Sequence, residues 1–155
     1  MPADVPMPFT ESPDRRSWRI EADVRAPGTA RTLTRRALAE WGLDSFTERA
    51  TLIVSELATN AVVHGARPSE HGKDRDEYIA LSLVREPTSL RIEVEDQSPV
   101  FPVPRARPTP DEATSGWGLH IVAAQADEWG VHARPAGRGK GVQASLWIED
   151  GRART

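Results

Sequence analysis

Between Trp18 and Val24 apolar and polar residues alternate one by one, the pattern of a strand with one buried face. The period then changes. Ala30, Leu33, Ala37, Leu38 and Trp41 recur at three- and four-residue spacing, which predicts a helix opened by Pro27 and stopped by Gly42. Asp44 or Ser45 is placed to cap a second helix, which runs to about Gly65 and buries Ile53, Val54, Leu57, Ala58, Ala61 and Val62. Two strands follow, Tyr78 to Val84 and Leu90 to Asp96, with a turn at Pro87–Ser89. A short helix is expected from Leu119 to Ala126. A closing hairpin is expected from Trp129–Arg134 and Val142–Ile148, around the glycines 137, 139 and 141.

Strands and helices that do not strictly alternate indicate an α+β fold: a two-layer sandwich of a mostly antiparallel mixed sheet with three helices on one face. Residues 1–17 are rich in proline and polar groups and are expected to form a mobile arm. One domain covers residues 18–149, and residues 150–155 form a tail. Within the domain, residues 98–115 contain Pro99, Pro102, Pro104, Pro108 and Pro110, a density that neither helix nor sheet ladder tolerates. So long a segment inside a small domain is expected to be either functional, as a lid over about residues 98–115, or disordered.

Composition narrows the classes. The 155 residues carry a formal net charge of -3, which leaves no basic footprint for direct nucleic-acid binding. There is no cysteine, hence no disulfide framework and no thiolate metal site. No apolar run has the length of a membrane span, and the first residues lack the pattern of a signal peptide. A soluble, cytoplasmic protein without a membrane partner is the expectation.

Three segments carry candidate chemistry. Glu56, Asn60 and His64 lie four apart on the second helix, so their side chains stack along one edge beside the apolar face. Taken alone, such a stripe also describes a helix whose polar edge meets solvent. Its chemical alternative makes Glu56 a general base and Asn60, through its amide oxygen, a ligand of Mg²⁺. At the end of a strand, Asp96 can accept a hydrogen bond from an exocyclic amine and so select adenine; a turn aspartate is the plainer alternative. Gly116 and Gly118 precede a helix, where backbone N–H groups approach anions, although a tight turn uses the same residues. Lys140, among the glycines of the closing hairpin, has the reach to touch phosphate.

Taken in order, these segments resemble the GHKL ATPase superfamily, whose nucleotide-binding unit is the Bergerat fold. The likeness runs from about Trp18 to Ile148. The stretch from Glu56 through Asn60 to His64 is similar to the N box, Asp96–Ser98 to the first glycine box, and Gly116–Leu119 to the second. Within the superfamily the chain most resembles the short anti-sigma factor serine/threonine kinases, in size and in Ser55–Ala61. The resemblance implies ATP and Mg²⁺ as cofactors, with Glu56 activating the acceptor hydroxyl and Asn60 holding the metal. It implies that Asp96 reads the adenine amine, with Ser98, Gly116, Gly118, Leu119 and Lys140 around the nucleotide. It also implies a sigma factor and an anti-anti-sigma antagonist as partners, and a homodimer; Arg31, Arg35 and Arg36 are candidates for a partner surface, or for a solvated basic face. Two positions depart from the family pattern. Ser98 stands where glycine is frequent, and Gly139-Lys140-Gly141 is followed by Val142 where threonine is frequent. Two other functions fit the same segments: a nucleotide-binding regulator without phosphoryl transfer, and a simple ATPase.

Overall fold

The computed structural model describes residues 8–65, 77–97, 113–134, 139–149 and 152–153. Helix α1 spans Ala26–Trp41 with Pro27 in its first turn. It ends at Gly42, whose left-handed φ of 70° lets Gly42 N–H bond Ala39 O and Leu43 N–H bond Leu38 O. A single 3-10 turn, Asp44–Phe46, buries Phe46 and leads directly into α2, Thr47–Gly65.

The sheet contains β1 (Pro8–Ser12), β2 (Arg15–Glu21), β3 (Tyr78–Arg85), β4 (Ser89–Asp96), β5 (Glu128–Ala133), β6 (Lys140–Glu149) and the two-residue β7 (Arg152–Ala153). Its order is β1-β2-β3-β4-β6-β5, with β7 paired to the end of β6. Among the described residues every pairing is antiparallel, so the sheet is not the mixed one expected. The crossover from β4 to β5 is made through α3, Ala113–Gln125.

Strand β4 shows why one face carries the helices. Leu90, Ile92, Val94 and Asp96 are buried, while the residues between them are half-exposed. Helix α2 packs on β3, β4 and β6 and lies between α1 and α3. Phe46, Ile53, Val54, Leu57, Leu81, Leu83, Ile92 and Leu146 join a single core. At about 25 cal/mol per Å² of apolar surface removed from water, this layer is the main stabilising term.

Three expectations need correction. Residues 1–17 are not wholly an arm. Pro8–Ser12 add an edge strand to β2, and β2 begins at Arg15 rather than Trp18. The connecting turn is held by long-range bonds: Trp41 Nε1–H to Pro13 O at 3.0 Å, and Arg85 to the Asp14 carboxylate at 2.9 Å. Arg16 and Arg85 also flank the Trp41 ring at 5.4 and 5.5 Å. Second, Arg152–Ala153 in the expected tail pair with β6. Third, α3 begins at Ala113, so Gly116, Trp117 and Gly118 lie within the helix instead of ahead of it. A glycine inside a helix costs about 1 kcal/mol relative to alanine.

Candidate functional site

Helix α2 turns its core face, Ile53, Val54, Leu57, Ala58 and Ala61, toward the sheet and leaves Glu56 and Asn60 half-buried at the margin. The neighbouring polar groups are satisfied within the protein. Ser55 Oγ accepts from Arg31 Nη1 at 2.8 Å, and Thr59 Oγ1–H donates to Ser55 O at 2.8 Å. Arg31 is thus committed to an α1–α2 tie, while Arg35 and Arg36 remain exposed. Glu56 and Asn60 differ from these neighbours. Burial raises the Glu56 carboxyl above the ordinary carboxylate range, because desolvation disfavours its charged form. The Asn60 Nδ2 atom is buried and has no hydrogen-bond partner among the described residues. Such a group needs a partner from outside the described residues, whether water, an ion or a ligand. Rotating the amide by 180° presents its oxygen at the same point, the donor type that Mg²⁺ takes alongside water and phosphate oxygens. The residues present therefore fit the metal. His64 lies in the last turn of α2.

Asp96 ends β4 on the helix-bearing face of the sheet. Directly across, in register, stands Lys140, the first residue of β6. Lys140 Nζ donates to Asp96 Oδ1 at 2.9 Å and lies 2.9 Å from Oδ2, with both side chains 5% exposed. Lys140, expected to reach phosphate, is here bonded to the residue expected to read the base. Gly139 makes this approach possible. Its φ is 128°, and a Cβ there would fall 2.0 Å from the Asp96 carbonyl oxygen. Arg134 braces the same corner, with Nη1–H donating to Asp96 O at 3.3 Å and Nε 3.0 Å from Glu95 Oε2.

Helix α3 is fastened at its C-terminal end. Arg49, on α2, donates to the carbonyl of Gln125 through Nε at 3.1 Å and also through Nη2. Leu119 and Val122 are buried, so Leu119 packs. The first amides of a helix have no intrahelical acceptor, a set that in α3 ends at Ser115 and stops short of both Gly116 and Gly118. Ser98 and most of the expected lid lie outside the described residues.

Helix α2 contacts α3, β4 and β6, so the elements that carry the candidates form one neighbourhood. Residues 20–146 match the family described as histidine kinase-like ATPase domain. The chain belongs to that family. A comparison with curated proteins returned no match. The histidine kinase-like ATPase domain places this chain in the GHKL superfamily and makes nucleotide binding its general function. Among the described residues, no helix is long and apolar enough to cross a membrane.

Pattern alone missed the Asp96–Lys140 pair and the Gly139 passage beneath it. The missing signal is the β4–β6 register, which places the two residues opposite one another. It also missed Glu93, Glu95 and His132, which gather on the sheet face away from the helices. These three sit within one another's reach because Gly141, lying between the strands, has no side chain; a Cβ there would fall 2.5 Å from His132 Cε1. Both carboxylates already have neighbours, His132 Nε2 at 3.2 Å from Glu93 Oε1 and Arg134 Nε at 3.0 Å from Glu95 Oε2.

Proposed function

We propose that this histidine kinase-like ATPase domain is an ATP-dependent protein serine/threonine kinase that acts as an anti-sigma factor. It phosphorylates an anti-anti-sigma antagonist and sequesters a sigma factor. The observation that carries the proposal is the α2 edge: a half-buried carboxylate, Glu56, one turn from Asn60, whose buried Nδ2 atom lacks a protein partner among the described residues.

A serine hydroxyl is a weak nucleophile at neutral pH and benefits from a base, whereas a histidine acceptor needs less help. Glu56, with its raised proton affinity, takes the hydroxyl proton as the serine oxygen bonds to the γ-phosphorus and the bond to the departing ADP breaks. Asn60 would hold Mg²⁺, which when bound neutralises phosphate charge. Asp96 would accept from the adenine amine, and the first amides of α3 would face phosphate. Phosphorylation places a dianion on the antagonist, disrupting its complex and freeing the kinase for the sigma factor.

A regulator that binds nucleotide without transfer is the second reading, favoured by Val142, a buried apolar side chain where the family pattern has a hydroxyl. Incubation with γ-labelled ATP and a panel of antagonist proteins separates the two. Label on serine or threonine supports the kinase. Nucleotide-dependent partner capture without label supports the regulator, and phosphate release without an acceptor supports a simple ATPase.

Two further outcomes follow from α2. Asn60→Ala should weaken Mg²⁺-dependent ATP binding by about tenfold or more, the scale of one lost hydrogen bond to a charged group, while leaving metal-free nucleotide binding nearly unchanged. Calorimetric titration with and without Mg²⁺ checks this; equal losses in both would remove Asn60 from the metal. The pH profile of transfer should fall on the acid side with a midpoint above the ordinary glutamate range. The base works only when deprotonated, and burial raises the pH at which it loses its proton. An acid limb at the ordinary glutamate position would exclude Glu56 as the titrating base.

A further inference from the structure

We infer that Lys140 is a base-reading residue, donating a hydrogen bond to purine N1 while Asp96 accepts from the exocyclic amine. The inference rests on the proposed ATP function and adds to it the group that sets base specificity.

Lys140 is held in place. It is paired with Asp96 in the β4–β6 register and bonded at 2.9 Å, and the pair is almost wholly enclosed. Removing one partner of a buried ion pair is strongly unfavourable, so an incoming adenine amine does not simply evict the ammonium. Eviction is also unnecessary. An ammonium has three N–H donors, and a carboxylate has about four lone-pair sites. With Lys140 directed at both oxygens of Asp96, the ammonium keeps at least one proton, and Lys140 takes only two of the carboxylate's sites. Among the described residues Lys140 has no second acceptor, although a buried donor requires one.

The pair therefore offers an acceptor beside a donor. Adenine presents the complementary order, an N6 amine donor beside the N1 acceptor. Guanine in the same position turns O6 toward the carboxylate and N1–H toward the ammonium, and is mismatched at both points. A lone aspartate opposes guanine at one point only. Mismatching a site built for hydrogen bonds is where discrimination is largest.

The test uses analogues on the intact protein. Calorimetric titration compares ATP with 1-deaza-ATP, in which N1 is a C–H, and with purine riboside triphosphate, which lacks the amine. The expected result is binding of 1-deaza-ATP about ten- to a hundredfold weaker than ATP, the scale of a lost hydrogen bond to a charged donor. In Lys140→Met the two nucleotides should bind alike. Equal binding of ATP and 1-deaza-ATP to the unaltered protein overturns the inference, while loss with purine riboside triphosphate would leave the Asp96 role standing. Tighter ATP binding by Lys140→Met, or discrimination that survives in it, also overturns the inference. Failure of the unaltered protein to bind ATP at all overturns the proposed function itself. The analogue comparison needs no variant, so it decides the role of Lys140 even if Lys140→Met is unstable.

Discussion

Glu56→Ala should leave ATP binding intact and slow phosphoryl transfer by about 10²–10⁴-fold, the usual loss when a general base is removed. The expectation follows from how the residue is placed. Glu56 stands at the margin of the buried face of α2, where desolvation raises its proton affinity and brings it closer to the working pH. Among the described residues no cation pairs with it, so removing it takes away a base without leaving a buried charge behind. Single-turnover transfer to an antagonist protein, set beside calorimetric ATP affinity, separates the two effects. Transfer at the unaltered rate would remove Glu56 from the chemistry. Loss of ATP binding would make it a nucleotide ligand.

Asp96→Asn should have the largest effect on the fold. Lys140 is then left as a buried ammonium without its counter-charge. Breaking a buried pair from one side costs about 3–5 kcal/mol. For a chain of this size that corresponds to a fall in melting temperature of roughly 6–20 °C. The same substitution should weaken ATP binding, because the exocyclic amine loses its charged acceptor. Pairing it with Lys140→Met separates the consequences. Removing both charges should recover most of the stability, since a buried pair gives little net stabilisation over apolar groups of similar size. Nucleotide binding should stay weak. Denaturant titrations and calorimetry on the two single variants and the double form the cycle. A double variant no more stable than Asp96→Asn would show that the carboxylate, rather than the pair, supports this corner.

Helix α1 was legible from sequence because its signals are local: Pro27 at the start, an apolar stripe at helical spacing, and Gly42 supplying the left-handed stop. Strand β4 was legible for a similar reason, its alternation surviving intact from Leu90 to Asp96. The same spacing put Glu56 and Asn60 on one edge of α2, where both are half-buried. Strand β1 was not legible. It joins the sheet through its backbone, and the bonds that position its turn come from Trp41 and Arg85, far along the chain. The start of α3 was hidden by Gly116 and Gly118, which read as helix breakers although the helix continues through both. The partner of Asp96 was hidden because alternation reveals the face of a strand and not its register. Placing Lys140 opposite Asp96 requires knowing how β4 and β6 align.

The grip of Arg49 on the final carbonyl of α3 makes that helix asymmetric in its freedom. One end is riveted to α2, on the same helix that supplies Glu56 and Asn60. Gly116 and Gly118 lie toward the opposite end, away from that attachment. A displacement confined to the glycine half would keep the spacing between α2 and the far half of α3, and with it the positions of Glu56 and Asn60.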